Sequence, residues 1–233
     1  MKELLASGFA SLGLELTDLA ADRFYQYYDR LETCNKVMNL TAITGETDVA
    51  QLHFLDCAAM LTAADFGTAR VIDVGTGAGF PGLPIKIAEP SAEVTLLDSL
   101  NKRVEFLKET CAALGLDDVT CIHARAEEAP KDYREGFDFA VSRAVARLNV
   151  LCELCLPFVK VGGAFLAMKG PDCADEIQEA QKAIRTLGGT EVKVHHYTIP
   201  GTDISHSIVE VRKGKPTPPK YPRRFAKIKQ QPL

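Results

Sequence analysis

The chain changes period near residue 69. Before that point apolar residues recur at Ala20, Phe24, Tyr27, Tyr28 and Leu31, a spacing near 3.6 that predicts an amphipathic helix capped by Thr17 or Asp18. Residues 1–64 read as helical, with an irregular break at Asn39-Leu40-Thr41-Ala42-Ile43. A further helix is predicted from about Thr47, carrying Leu52, Leu55, Ala59 and Leu61. Beyond residue 69, short apolar runs at 70–74, 93–97, 119–123, 137–141 and 164–168 alternate with helical stretches. That alternation predicts an α/β fold, a Rossmann-like parallel sheet with helices on both faces and an N-terminal helical extension. Between the second and third strands Val104, Leu107, Cys111 and Leu114 form one apolar stripe, with Asn101 as the predicted cap and Gly115 as the stop. The stretch 172–187 repeats that logic through Ile177, Ala180, Ile184 and Leu187. Strands 192–199 and 207–212 have no helix between them and predict an antiparallel pair closing the sheet. The expected organisation is a helical cap over 1–64, a sheet domain over 65–213 and a tail over 214–233.

The most informative segment is Val71-Ile72-Asp73-Val74-Gly75-Thr76-Gly77-Ala78-Gly79-Phe80-Pro81-Gly82. Glycine at alternate positions lets the backbone approach a ligand closely, because no Cβ intervenes and positive φ costs little. A strand, a glycine turn and a helix start together predict a ligand cradle at the carboxyl end of the sheet. Gly77 to Gly82 also satisfies G-x-G-x-x-G, so a nicotinamide dehydrogenase competes. However, the strand ends against Gly75, which makes the working motif Gly75-x-Gly77-x-Gly79 with Asp73 inside the strand. The chain after Met168 is also too short for a dehydrogenase's substrate domain. Asp98, 19 residues beyond Gly79, is placed to accept the hydroxyl protons of a ribose, a need common to NAD and S-adenosylmethionine. Its alternative is a turn or helix cap. Glu127, in Arg125-Ala126-Glu127-Glu128 after the third strand, either meets the base of that nucleoside or belongs to the solvated charges that follow.

Charge divides unevenly along the chain. Its 27 basic and 31 acidic residues give a net −4, yet residues 212–233 hold eight basic residues and no acid. The tail therefore either meets a polyanion or is a solvated end. Its Arg223, Arg224 and Lys227 alternate with Tyr221 and Phe225, a mixture suited to phosphate contacts and base stacking. The seven cysteines are odd in number and scattered, which predicts reduced thiols in a cytoplasmic protein. Cys152 and Cys155 read as core packing, no further soft ligands stand at zinc spacing, and no metal is expected. No apolar run approaches the roughly 20 residues that span a bilayer, so no membrane association is expected.

The segment 71–84, the Ala126-Glu127 pair, Val141-Ser142-Arg143-Ala144, Met168-Lys169-Gly170 and Tyr221-Pro222-Arg223-Arg224 resemble the RsmG (GidB) family. So do Asn39-Leu40-Thr41-Ala42-Ile43 and His53-Phe54-Leu55-Asp56, and the resemblance spans nearly the whole chain. The glycine motif is shared with many class I methyltransferases; the Ser-Arg-Ala and Tyr-Pro-Arg-Arg elements are the specific ones. The resemblance implies a class I fold, S-adenosylmethionine as cofactor, and methyl transfer to N7 of a guanine in 16S ribosomal RNA. It also implies that Gly75, Phe80, Ala126, Glu127 and Arg143 contact the cofactor. Asp73, Thr76, Gly77, Gly79 and Asp98 join that set from the reading of the turn and the second strand.

Guanine N7 carries a lone pair and no proton, so methylation there needs no general base, and the sequence shows no convincing catalytic dyad. Catalysis then rests on holding the reacting atoms in line. Arg143, after the fourth strand, is expected nearest the chemistry, binding either the cofactor carboxylate or the guanine O6 edge. Asn39 either presents its amide to substrate or caps a turn. With Lys169, Arg223, Arg224 and Lys227 it makes the expected RNA set. His53 reads as a packed or exposed histidine rather than a catalyst. The expected partner is 16S ribosomal RNA or the small ribosomal subunit, and the chain is expected to be monomeric. A small-molecule methyltransferase, a dehydrogenase and a non-enzymatic ribosome-assembly factor are the rival readings.

Overall fold

A computed structural model describes residues 1–143 and 145–233. Ala144, part of the Ser-Arg-Ala element, lies outside the described residues. The chain opens with α1 (Lys2–Ser11) and α2 (Asp18–Met38). It then runs from α3 (Glu46–Val49) through a π-helical turn at Ala50–Leu55 into α4 (Asp56–Ala58) and α5 (Met60–Ala63). Next come β1 (Arg70–Val74), α6 (Gly82–Ala88), β2 (Glu93–Asp98), α7 (Asn101–Ala113), β3 (Val119–His123) and β4 (Phe137–Arg143). The remainder is α8 (Leu148–Cys155), β5 (Val159–Lys169), α9 (Ala174–Thr186), β6 (Gly189–Thr198), β7 (Ser205–Lys213) and α10 (Phe225–Gln230).

Among the described residues seven strands form one sheet in the order β3-β2-β1-β4-β5-β7-β6. β1 to β5 are parallel, and β7 runs antiparallel between β5 and β6. The helix-free 192–199 and 207–212 segments therefore do pair antiparallel, as their spacing predicts. Strand order reverses between β1 and β4, which opens a crevice past their carboxyl ends. Side chains alternate between two apolar layers, as the pleat demands. Val71, Leu166 and Met168 pack with the N-terminal helices, α6 and α7, while Ile72, Phe165 and Ala167 pack with α8 and α9.

Residues 1–64 pack into the core of the sheet domain. Phe9, Phe24, Tyr27 and Phe54 are fully buried and share one cluster with Val71, Leu83 and Leu166. Phe24 packs in a tilted arrangement 5.0 Å from Phe54, and Tyr27 stacks at 5.5 Å from Phe80 of the glycine turn. The N-terminal segment thus joins α6 and α7 in one of the sheet's two covering layers. Thr17 is the cap of α2, its hydroxyl accepting from the Ala20 N–H at 3.2 Å. Asn101 is not the cap of α7. Leu100 holds that position, and its N–H is satisfied by Asp98 Oδ1 at 2.8 Å, which leaves Asn101 as the first helical residue.

The tail is also built into the fold. Arg134 donates to the carbonyls of Thr217 and Tyr221, and the Thr217 hydroxyl donates to the Leu187 carbonyl. Ile228 of α10 is fully buried against the α8–α9 layer. Glu153, on the polar side of an otherwise apolar helix, is fully buried, and its carboxylate receives Arg223 Nε at 2.8 Å and Nη2 at 2.6 Å. The Arg223 N–H adds a third bond to Oε1 at 2.9 Å. A buried carboxylate tolerates its site only while so paired. Arg223→Ala is therefore expected to cost about 3 kcal/mol of stability, measured by urea unfolding, with early proteolytic loss of the last residues. Arg224→Ala, one position on and exposed, is expected to change the unfolding midpoint little.

Candidate active site

The crevice at the β1–β4 reversal holds a cavity of about 590 Å³, within the range of small-molecule sites. One wall is the glycine turn: Gly75, Thr76, Gly77 and Phe80 all line the cavity. Gly75 and Thr76 N–H both donate to the Leu97 carbonyl, at 2.9 and 3.1 Å, so the turn is anchored to the end of β2. Gly77 has φ +63°, and a Cβ built on it would meet nothing within 4 Å. It would stand in the cavity itself. Gly79 has φ +112°, and a Cβ there would lie 2.6 Å from Tyr27 Oη and from Leu83 Cδ1. Gly79 thus permits close packing behind the turn and does not line the cavity.

Asp73 lies beneath the turn. It is fully buried, and its Oδ2 accepts from the Thr76 hydroxyl at 2.7 Å and from the Gly82 N–H at 2.8 Å. That one oxygen ties the middle of the turn to the first residue of α6. Oδ1 has no hydrogen-bond partner among the described residues. Burial pushes the Asp73 carboxyl up to about 7, against the opposing pull of Thr76 and Gly82. Asp98 closes the next side at 4 % exposure. Its Oδ2 accepts from the Gly77 N–H at 2.9 Å and its Oδ1 from Leu100, so it serves as turn residue and cavity wall together. Each oxygen retains a second lone-pair direction for a ligand hydroxyl. Ala126 and Glu127, in a 3₁₀ turn after β3, line the far end.

Arg143 closes the opposite side. It is the last residue of β4, which runs two residues further than its apolar pattern predicts. Its guanidinium lies 4.7 Å from the Phe80 ring centroid. Nη1 donates to the Leu52 carbonyl at 3.2 Å and to Asp56 Oδ2 at 3.3 Å, and Nη2 donates to His53 Nδ1 at 2.8 Å. Arginine has five N–H donors and no acceptor, so three are satisfied within the chain and His53 Nδ1 must be the unprotonated nitrogen. His53 Nε2–H then donates to Thr41 Oγ1 at 2.8 Å. The His53 ring also stacks on Phe80 at 4.3 Å. Burial, then the charge of Arg143, pushes His53 down to about 3, so it stays neutral across the physiological range. Asp56, at 3 % exposure, also receives the Tyr197 hydroxyl at 2.7 Å and His206 Nδ1 at 2.8 Å. That hydrogen bond to Asp56 raises the His206 pKa.

The predicted RNA residues are scattered. Asn39 ends α2 in the left-handed region at φ 51° and is exposed beside Leu40 and Thr41 of the cavity rim. Lys169 is committed internally, donating to Glu176 at 2.7 Å and to the Ala146 carbonyl at 2.9 Å. Arg223 is committed to Glu153, whereas Arg224 and Lys227 are exposed on either side of Phe225. Thr41, His53 and Asp56 are not among the site residues the sequence predicts, and Phe225, expected to stack on RNA bases, lines the cavity instead. The available signal for two of them is that His53 and Asp56 stand three apart on one helical stretch. Among the described residues no helix is long and apolar enough to cross a membrane. No group of three or more His, Cys, Asp or Glu among them stands ready to hold a metal ion.

Residues 20–205 match the family model described as rRNA small subunit methyltransferase G. The chain is 49 % identical to Ribosomal RNA small subunit methyltransferase G of Alkaliphilus oremlandii over 236 residues, covering 100 % of this chain and 99 % of that protein. Among solved structures, M. jannaschii TYW2 in complex with AdoMet superposes with a TM-score of 0.56 at 15 % identity, covering 70 % of this chain and 78 % of that one. A SAM-dependent O-methyltransferase of Thermotoga maritima gives 0.54 at 16 % identity, covering 81 % and 73 %. At those identities the likeness shows the fold alone, an α/β Rossmann-like sheet of the class I type.

The Asp73 carboxyl gives the turn a pH signature. Its folded pKa of about 7 exceeds the unfolded aspartate value of about 3.9. Its contribution to stability is therefore full below that unfolded value and is lost as pH rises through about 7. Within the window the slope is about 1.4 kcal/mol per pH unit at most. Asp73→Asn keeps an acceptor for Thr76 and Gly82 but cannot titrate. The stability lost between pH 5 and pH 8, measured by denaturant unfolding, is expected to shrink in the variant.

Proposed function

The chain belongs to the rRNA small subunit methyltransferase G family, and we propose on that premise that it transfers a methyl group from S-adenosylmethionine to N7 of a guanine in 16S ribosomal RNA. The observation that carries the cofactor half is the convergence of the glycine turn, Asp98, Glu127 and Arg143 on one cavity. The residues fit a nucleoside bearing an amino-acid end. Gly77 leaves open the space a side chain would fill, the buried Asp98 carboxylate retains acceptor capacity for ribose hydroxyls, and Arg143 retains two donors for a carboxylate or a purine edge. Ala126 and Glu127 would hold the base.

S-adenosylmethionine, when bound, supplies the electrophile, a methyl carbon on a positively charged sulfur. The chain's own task is orientation and charge management. A neutral His53 with both ring nitrogens engaged is not available as a general base, and attack by N7 requires none. Arg143 beside the site would repel the positive charge that arrives on the guanine. Asp56 at 3.3 Å offsets it, so the pair can position a ligand edge at small electrostatic cost. The hydrogen bonds to Leu52, His53 and Asp56 fix the guanidinium plane, which is what near-attack alignment demands. Arg224, which lines the adjoining cavity, and Lys227 are exposed and offer phosphate contacts, as does Asn39 beside Leu40 and Thr41 of the cavity lining. The cell's cytoplasm and a monomeric chain complete the reading, with the small subunit or its RNA as partner.

Titration calorimetry tests the cofactor half. The wild-type chain is expected to bind S-adenosylmethionine and S-adenosylhomocysteine and not NADH. Gly77→Val, which places a branched side chain in the cavity at positive φ, is expected to weaken binding roughly 100-fold or more. Asp98→Ala should cost about 10- to 100-fold. Unchanged affinity in both variants would remove the cradle from this site, and preferential binding of NADH would revive the dehydrogenase reading.

A further inference from the structure

The C-terminal strap ends at the cofactor cavity, not beside it. Phe225, the first residue of α10, lines the 590 Å³ cavity together with Ala126, Glu127 and Leu154. It also lines an adjoining cavity of about 480 Å³, and with Arg125 and Glu127, which line both cavities too, it forms the partition between the two. The Arg125 guanidinium stands 5.9 Å from the ring centroid on that partition. The ring is held in place from both sides along the chain. Before it, Arg223 grips the buried Glu153 of α8 through three hydrogen bonds. After it, Ile228 is fully buried against the same layer. Such fixing of an aromatic residue at a cavity wall needs more than the demands of a solvated basic tail.

We propose that Phe225 forms the outer wall of the adenosine end of the cofactor site, so that the C-terminal strap governs cofactor affinity as well as RNA contact. The inference rests on the methyltransferase reading, since it is that reading which places a purine between Asp98 and the Ala126–Glu127 turn. A flat ring opposite a purine supplies stacking and excludes water from the base. Arg125 over the ring adds a cationic edge to the same partition. The strap thus reaches both cavities through Phe225, which shares the partition with Arg125 and Glu127. A ligand on one side bears on the ring that walls the other.

The chain contains no tryptophan, so Phe225→Trp supplies a single reporter at the partition. Its emission is expected to change on adding S-adenosylmethionine or 5′-methylthioadenosine, which share the adenosine group, and not on adding methionine. In calorimetry Phe225→Ala is expected to weaken S-adenosylmethionine and 5′-methylthioadenosine alike by about 5- to 100-fold, the range of base–aromatic stacking. Phe225→Tyr should restore most of that loss. Gln230→Ala, exposed on the same short helix, should leave both affinities within about twofold, while circular dichroism and the unfolding midpoint report whether each variant keeps its fold. A folded Phe225→Ala variant with wild-type affinity, or a tryptophan reporter silent to adenosine ligands, would overturn the proposal and leave the strap as an RNA surface alone. Failure of the wild-type chain to bind S-adenosylmethionine would instead remove the reading on which the proposal rests.

Discussion

One carboxylate oxygen organises the site. Oδ2 of Asp73 receives the Thr76 hydroxyl and the Gly82 N–H, closing the glycine turn onto the start of α6 from below. The turn would otherwise be a flexible run of three glycines in five residues, each costly to order. Asp73 accepts full burial for this, at the cost of a carboxyl that resists ionisation until about pH 7. With the turn fixed, Gly77 faces an open cavity, and its N–H ties the next strand end through Asp98. The shape of the cavity wall therefore depends on a buried carboxylate that does not itself line the cavity.

A second buried polar group joins parts of the chain that are far apart in sequence. Arg143 at the end of β4 bonds Leu52, His53 and Asp56, and Asp56 bonds Tyr197 and His206 of the β6–β7 hairpin. The π-helical turn at Ala50–Leu55 presents His53 and the Leu52 carbonyl to the same guanidinium, a widening of the helix of the kind that recurs at functional sites. Phe80, between His53, Tyr27 and Arg143, joins the glycine turn to the N-terminal helices. The helical extension is thus part of the site's frame. It holds one edge of the cavity rigid while contributing Leu40, Thr41 and His53 to its lining.

The features legible in the sequence were those set by local spacing. The sheet strands, the glycine turn and the position of Asp98 follow from short-range patterns, because strand period and turn chemistry act within a few residues. What spacing could not show is which charges find partners. Lys169 and Arg223 read as free cations by composition, but Glu176 and Glu153 take them up. Asp56 meets Arg143 across 87 positions, a pairing that only the folded sheet creates. The cap of α7 lies at Leu100 and not at Asn101 because the Arg103 and Val104 N–H groups donate to the Leu100 carbonyl, which starts the helix one residue earlier. The tail is legible as basic but not as packed, since its anchors Thr217, Tyr221 and Ile228 are spread among charges that dominate the pattern.

The central claim is that this cavity serves methyl transfer to a base nitrogen without a general base. Its most direct test uses small ribosomal subunits from a strain lacking this protein, incubated with the purified chain and S-adenosylmethionine labelled in the methyl group, followed by nucleoside analysis of the 16S RNA. The account predicts label in 7-methylguanosine. Label in another nucleoside, or none despite calorimetric binding of the cofactor, would contradict it.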